Sequence, residues 1–151
     1  MHAIEAPLTR PPEAAMHLDP SGFIAGQELI EALEEHASAV PCDRDRLLFR
    51  QGDQAAGLYV LHSGSAKLTM QSDSGEVVLR IESGAGSLLG LPGLIGNKPY
   101  SLTAIAQAGA LVTFIARDDF LRLMEQNPAL SFKVLQVLAA EVRTARQAIF
   151  S

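Results

Sequence analysis

At 151 residues the chain has room for one domain, since single domains run to roughly 100–200 residues, and a large two-domain enzyme is excluded. With 48% hydrophobic and 19% charged residues it can bury a core and is not disordered overall. Seventeen acidic against twelve basic side chains leave a net charge of -5, the wrong sign for spreading the whole surface along a phosphate backbone. The single cysteine, Cys42, cannot form an internal disulfide, and no apolar run reaches the roughly 18 residues of a membrane span. No signal peptide opens the chain, so the expectation is a cytoplasmic protein without membrane contact.

Residues 1–20 hold Pro7, Pro11, Pro12 and Pro20 and no periodic apolar pattern, which reads as a flexible tail. From Gln27 to His36, Leu29, Ile30 and Leu33 fall at helical spacing with carboxylates opposite, a short amphipathic helix closed by Pro41. Between Arg46 and Ala116 the texture becomes short runs of Val, Leu, Ile and Thr punctuated by Gly and Ser. The runs are 47–49, 58–61, 66–70, 77–81, 101–105 and 111–115, with Ser72-Asp73-Ser74-Gly75 as a hairpin turn. The pattern predicts a mainly β fold with flanking helices, a small double-sheet roll or barrel.

After Arg117 the helical period returns. Asp118 or Asp119 is positioned to cap a turn carrying Phe120, Leu121 and Met124, and Asn127-Pro128 ends it and starts a longer helix, roughly 129–149. On that helix Val134, Leu138, Val142, Ala145 and Ile149 recur at steps of three and four. Such a seam suits a partner helix, and it equally suits packing on the β-roll; both hold together if they act at different heights.

Catalytic chemistry is sparse. His2, His17, His36 and His62 are scattered, with no metal-ligand spacing, so neither a metal nor a cupin-type enzyme is expected. There is no Gly-x-Ser-x-Gly elbow and no phosphate loop. Gly84 to Gly90 is a turn between strands, not a dinucleotide fingerprint. Cys42 lies beside Asp43 and Asp45, whose charges disfavour a thiolate. The chain is read as no enzyme.

More specific is the ordered set Leu47-Leu48-Phe49-Arg50-Gln51-Gly52-Asp53, Gly57-Leu58-Tyr59-Val60-Leu61-His62-Ser63-Gly64, Ser74-Gly75-Glu76 and Gly86-Ser87-Leu88-Leu89-Gly90. With the short helix, the Asn-Pro break and the long helix that follow, it resembles a cyclic nucleotide-binding domain, the sensory module of catabolite activator-like proteins, over about residues 27 to 150. The resemblance implies a double-stranded β-helix (jelly roll) in residues 21–127, with a short helix inside it, and a dimerisation helix in 128–151.

In that family a short helix and loop hold the cyclic phosphate with backbone N–H groups and an arginine, while a glutamate binds the ribose. The corresponding segment here is Gly90-Leu91-Pro92-Gly93-Leu94-Ile95-Gly96-Asn97-Lys98-Pro99-Tyr100-Ser101. Leu91 stands at the glutamate position and Tyr100 at the arginine position, and Pro92 and Pro99 remove two amide donors. Losing a charge-assisted hydrogen bond to phosphate forfeits about 1.5–3 kcal/mol, so cyclic AMP is not expected to bind in the standard pose. The candidate pocket comprises Gly90, Leu91, Pro92, Gly93, Leu94, Lys98, Tyr100, Ser101 and Thr103, with Thr144 and Arg146 on the helix where relatives contact the base. Lys98 offers a substitute point charge; alternatively Tyr100 fills the vacated pocket, its hydroxyl meeting Asn97 or Lys98.

These readings imply a regulatory, signal-sensing domain that needs no cofactor and dimerises through the last helix. Its input is a small ligand or a protein partner. The alternatives are a true cyclic nucleotide-binding protein with non-standard phosphate contacts, and a partner protein in transcriptional control. The helix-turn-helix that follows this module in transcription factors is not among the 151 residues, so no direct DNA binding is expected.

Overall fold

The computed structural model describes residues 16–17 and 24–150, with side chains described for 24–147. Two sheets face each other. The first has the order β1 (Met16–His17), β6 (Val77–Ser83), β5 (Ala66–Gln71), β8 (Thr103–Ala106), β3 (Arg46–Phe49). The second has the order β2 (Ser38–Val40), β9 (Leu111–Ala116), β4 (Gly57–Ser63), β7 (Ser87–Leu89). All pairings are antiparallel except β1 with β6. The jelly-roll expectation holds.

Alternation decides which face each side chain takes. Along β4, Leu58 and Val60 point to one core while Leu61 and Tyr59 face another, as the two-residue period of a strand requires. The inner core between the sheets joins Phe49, Leu68, Ile81 and Ala104 of the first to Leu61, Leu89 and Val112 of the second. The first sheet turns Lys67 and Gln71 to solvent.

The outer face of the second sheet is covered by helices. Leu58, Val60, Leu88 and Ile115 pack under Leu29, Ile30 and Leu33 of α1 (Gln27–Glu34), Leu91 and Leu94 of α2 (Leu91–Gly96), Phe120 of α3 (Arg117–Gln126), and Leu130, Val134 and Val137 of α4 (Pro128–Phe150). His62 adds a polar tie, with Nδ1 3.3 Å from Glu34 Oε1 on α1 and Nε2 2.8 Å from Thr113 Oγ1 on β9.

Local rules place most boundaries. The Ser72–Gly75 turn closes through Ser72 N–H to Glu76 O at 2.8 Å and Gly75 N–H to Ser72 O at 2.9 Å. Pro128 opens α4, and Asn127 accepts Leu130 N–H on its side chain at 3.3 Å and Ser131 N–H on its carbonyl at 3.1 Å. Three expectations shift. Asp118 and Asp119 sit inside the first turn of α3, where they favour the positive helix end, and the N-cap is Ala116 without a side-chain cap. The strand read as 101–105 begins only at Thr103. The reason is that Tyr100 is tied back to the 50–53 turn by Gly52 N–H to Tyr100 O and Tyr100 N–H to Asp53 O. Two three-residue strands, β2 and β7, lie where a helix end and a turn were read. Of the segment read as a tail, Met16–His17 pairs with Leu79–Arg80; the rest of it lies outside the described residues.

Phe120, fully buried at the centre of the helix-on-sheet core, is the side chain whose loss leaves the largest void there. Phe120→Ala is expected to lower the unfolding free energy by about 3–5 kcal/mol in urea titrations. A loss below about 1 kcal/mol would contradict this packing.

Candidate functional site

Between the inner face of the roll and the second half of α4 lies a cavity of about 220 Å³. Its floor is Phe49, Leu68, Met70, Leu79, Ile81 and Leu89; one wall is Gly90, Pro92, Gly93 and Tyr100; α4 closes it with Glu141, Val142 and Ala145. Among the described residues no lysine, arginine or histidine lines it.

Tyr100 shapes the wall. Its ring stacks on Phe49 with centroids 3.9 Å apart and planes 20° apart. Its hydroxyl donates to Gly57 O at 2.6 Å and accepts Gly57 N–H at 3.2 Å. Two glycines make room for this. A Cβ on Gly57 would run into the Ile115 carbonyl and the Phe114 ring, and one on Gly90, held at φ 95°, would come within 2.7 Å of the Tyr100 ring. Burial raises the Tyr100 phenol above its ordinary value and the Asp53 charge adds to this, against the lowering effect of the Gly57 and Ala56 backbone hydrogen bonds. Burial, then neighbouring Tyr100, likewise raises Tyr59, partly offset by Arg46. Both remain neutral hydroxyls.

The burial of Tyr100 accords with its reading as pocket filler, but its hydroxyl meets Gly57 and not Asn97 or Lys98. Asn97 is the left-handed C-cap of α2 and Lys98 is exposed on the loop outside the cavity. Of the other sequence candidates, Gly90, Pro92, Gly93 and Ser101 line the cavity. Leu91 and Leu94 point away into the helix-on-sheet core. Thr103 accepts Gln51 N–H at 2.9 Å. Thr144 is half-buried off the lining, and Arg146 is exposed beside Ala139, Val142 and Arg143 on the outer side of α4.

Sequence reasoning missed Glu141. It lies on the cavity-facing side of α4, its Oε2 is buried without a protein hydrogen-bond partner, and burial lifts its carboxyl from 4.5 to about 8. An acid amid apolar helix positions is the available signal, but its burial follows only from how α4 docks.

The residues read as a helix seam on α4 face different ways. Val134 is buried and Leu138 partly buried in the helix-on-sheet core, Val142 and Ala145 face the cavity, and the side chain of Ile149 lies outside the described residues. The outward stripe is instead Phe132, Leu135, Ala139 and Val142, with Phe132, Leu135 and Val142 62%, 55% and 56% exposed. Val142 belongs to both sides.

Among the described residues no cluster of three or more His, Cys, Asp and Glu is placed to hold a metal, and no helix is long and apolar enough to cross a membrane. Cys42 is buried, its thiol pushed up by burial, with Arg46 opposing and Asp43 adding to the shift.

The profile of the cyclic nucleotide-binding domain matches residues 40–127, more than half of the chain. The chain belongs to the cyclic nucleotide-binding domain family. Among curated proteins it is similar to the transcriptional activator Anr of Pseudomonas protegens, 31% identical over 122 residues, which are 80% of this chain and 49% of that protein. It is also similar to the cyclic AMP receptor protein of Thermus thermophilus, 28% identical over 98 residues, 65% of this chain and 45% of that one. The chain thus spans about half the length of these relatives. The crystal structure of Thermus thermophilus catabolite activator protein superposes with a TM-score of 0.69 at 24% identity, covering 87% of this chain and 62% of that one, and shares the fold.

The raised Glu141 carboxyl sets a pH dependence. Between 4.5 and about 8 the folded chain keeps a proton that the unfolded chain releases, so Glu141 costs no stability below 4.5 and progressively more as pH rises toward 8. Glu141→Gln removes that slope, which is at most about 1.4 kcal/mol per pH unit. At pH 8 the variant is expected to be more stable than wild type by up to about 4 kcal/mol, at most roughly 8–16 °C in Tm, with the difference shrinking toward pH 4.5. Parallel Tm curves across this range would contradict the burial of Glu141.

Proposed function

We propose that this chain is a signal-sensing regulatory domain, working as a homodimer through α4, whose cavity receives a small ligand other than a cyclic nucleotide held by its phosphate. One observation carries the reading: α4 closes the cavity with Glu141, Val142 and Ala145 and, on its other side, presents Phe132, Leu135, Ala139 and Val142 unpaired. A molecule entering the cavity pushes on the helix whose far face seats the partner helix. The names of the relatives, a transcriptional activator and a cyclic AMP receptor, support a role in transcriptional control. A cytoplasmic location goes with the single buried free cysteine.

Phosphate has no counter-charge here. Among the described residues the cavity offers one acid and no cation, Tyr100 spends its hydroxyl on Gly57, and Lys98 is outside, so the alternative of a cyclic nucleotide held through Lys98 loses its contact.

The steps of three and four between positions 132, 135, 139 and 142 are those of a helix-pair seam. Burying each large apolar side chain there contributes about 1.5–3 kcal/mol. Sedimentation velocity at micromolar concentration is expected to show a dimer for wild type and a monomer for Phe132→Glu with Leu135→Glu. A wild-type monomer, or a double variant that stays dimeric, would contradict the proposal.

A further inference from the structure

The composition of the cavity says what kind of molecule it suits. Six apolar side chains form the floor, the flanking wall is glycine, proline and the ring of Tyr100, and one polar atom, Glu141 Oε2, is buried without a protein partner. An apolar cavity of about 150 Å³ is enough to take benzene, so about 220 Å³ accommodates a ring with a short chain or small head. It is smaller than the roughly 300–1,000 Å³ typical of sites enclosing drug-sized ligands.

We propose that the cavity binds an uncharged, mostly apolar small molecule carrying one amide-type head, which pairs with the carboxyl of Glu141. This rests on reading the cavity as the ligand site of the regulatory domain and names the chemistry of its occupant.

A neutral head and a neutral acid complement each other by hydrogen bonding in this largely apolar site. With its carboxyl raised to about 8 by burial, Glu141 is a neutral acid at pH 7, with one O–H to give and one C=O to receive. A primary amide presents the matching pair: its carbonyl accepts the acid O–H and its N–H donates to the acid carbonyl. Neither partner carries charge, so neither pays the penalty of burying an ion. A carboxylate or phosphate head finds no cation among the lining residues and meets another acid. An ammonium head requires Glu141 to ionise inside an apolar shell, where the cost of burying two charges offsets their attraction. Of the other polar lining side chains, Tyr100 is engaged with Gly57 and Ser101 is exposed to solvent, which leaves Glu141 as the buried partner for the head.

The test uses four probes with one body: 4-propylbenzamide, 4-propylbenzoate, 4-propylbenzylamine and headless propylbenzene. Binding is read by calorimetry and thermal shift on the full chain at pH 7. The amide is expected to bind saturably, at least about 10-fold tighter than the benzoate or the amine. Glu141→Leu should weaken the amide about 10-fold and leave propylbenzene within about threefold of wild type. Glu141→Gln, which keeps a donor and an acceptor, should retain the amide. Tightest binding by the amine or the benzoate overturns the neutral-head assignment while leaving a small-ligand site in place. Amide affinity unchanged in Glu141→Leu overturns the role of Glu141. Failure of all four probes to bind overturns the inference altogether, whereas failure of the regulatory reading shows in sedimentation, which these probes do not touch.

Discussion

Tyr100 is held by a stack on Phe49 and by a two-way hydrogen bond with the backbone of Gly57, and the chemistry of the cavity follows from that anchoring. A phenol bonded to both the N–H and the C=O of one residue has little left for a ligand. The Tyr100 ring has its place because Gly90 carries no Cβ to strike it, and Gly57 in turn lies against the Ile115 carbonyl and the Phe114 ring, where a Cβ would not fit. Tyr100 also pins the loop, since its own backbone pairs with Gly52 and Asp53 and delays the start of β8 to Thr103. One side chain thus shapes the wall, shortens the strand and occupies the position that the family resemblance assigns to a phosphate-binding arginine.

The second half of α4 lives with the result. Its first half is secured by Leu130, Val134 and Val137 in the helix-on-sheet core, and beyond that it spans the cavity. There Glu141 is desolvated without a partner, a destabilising arrangement that a structural role does not explain, and buried unpartnered groups of this kind concentrate at functional sites. Val142 touches the cavity and the outward stripe at once, and in the proposed reading it is the residue that couples occupancy to helix pairing.

Much of the fold was legible in the residues. Strands of four residues or more announced themselves as apolar runs set off by Gly and Ser, and the Asn127-Pro128 break set the start of α4 within a residue. The strands β2 and β7 escaped because three residues are too few to show a period. In the site, the burial of Tyr100 could be foreseen from an aromatic at a vacated charged position. Its partner could not, because Gly57 lies 43 positions away. Which stripe of α4 faces outward was not legible, for a geometric reason. Two stripes, one through Val134 and Leu138 and one through Phe132, Leu135 and Ala139, both keep steps of three and four, and only the docking of α4 on the roll tells the inner from the outer. The same docking buries Glu141, which in isolation reads as an ordinary exposed helix acid.

Among the described residues the cavity beneath α4 is lined by no cation and closed by Glu141, whose carboxyl burial lifts to about 8. Carbon-detected NMR of the side-chain carboxyls across pH 3–10, with Glu141→Gln to assign the resonance, reads that state directly. The account predicts one glutamate carboxyl titrating near pH 8 and missing from the variant. A Glu141 resonance titrating between pH 4 and 5 would contradict it.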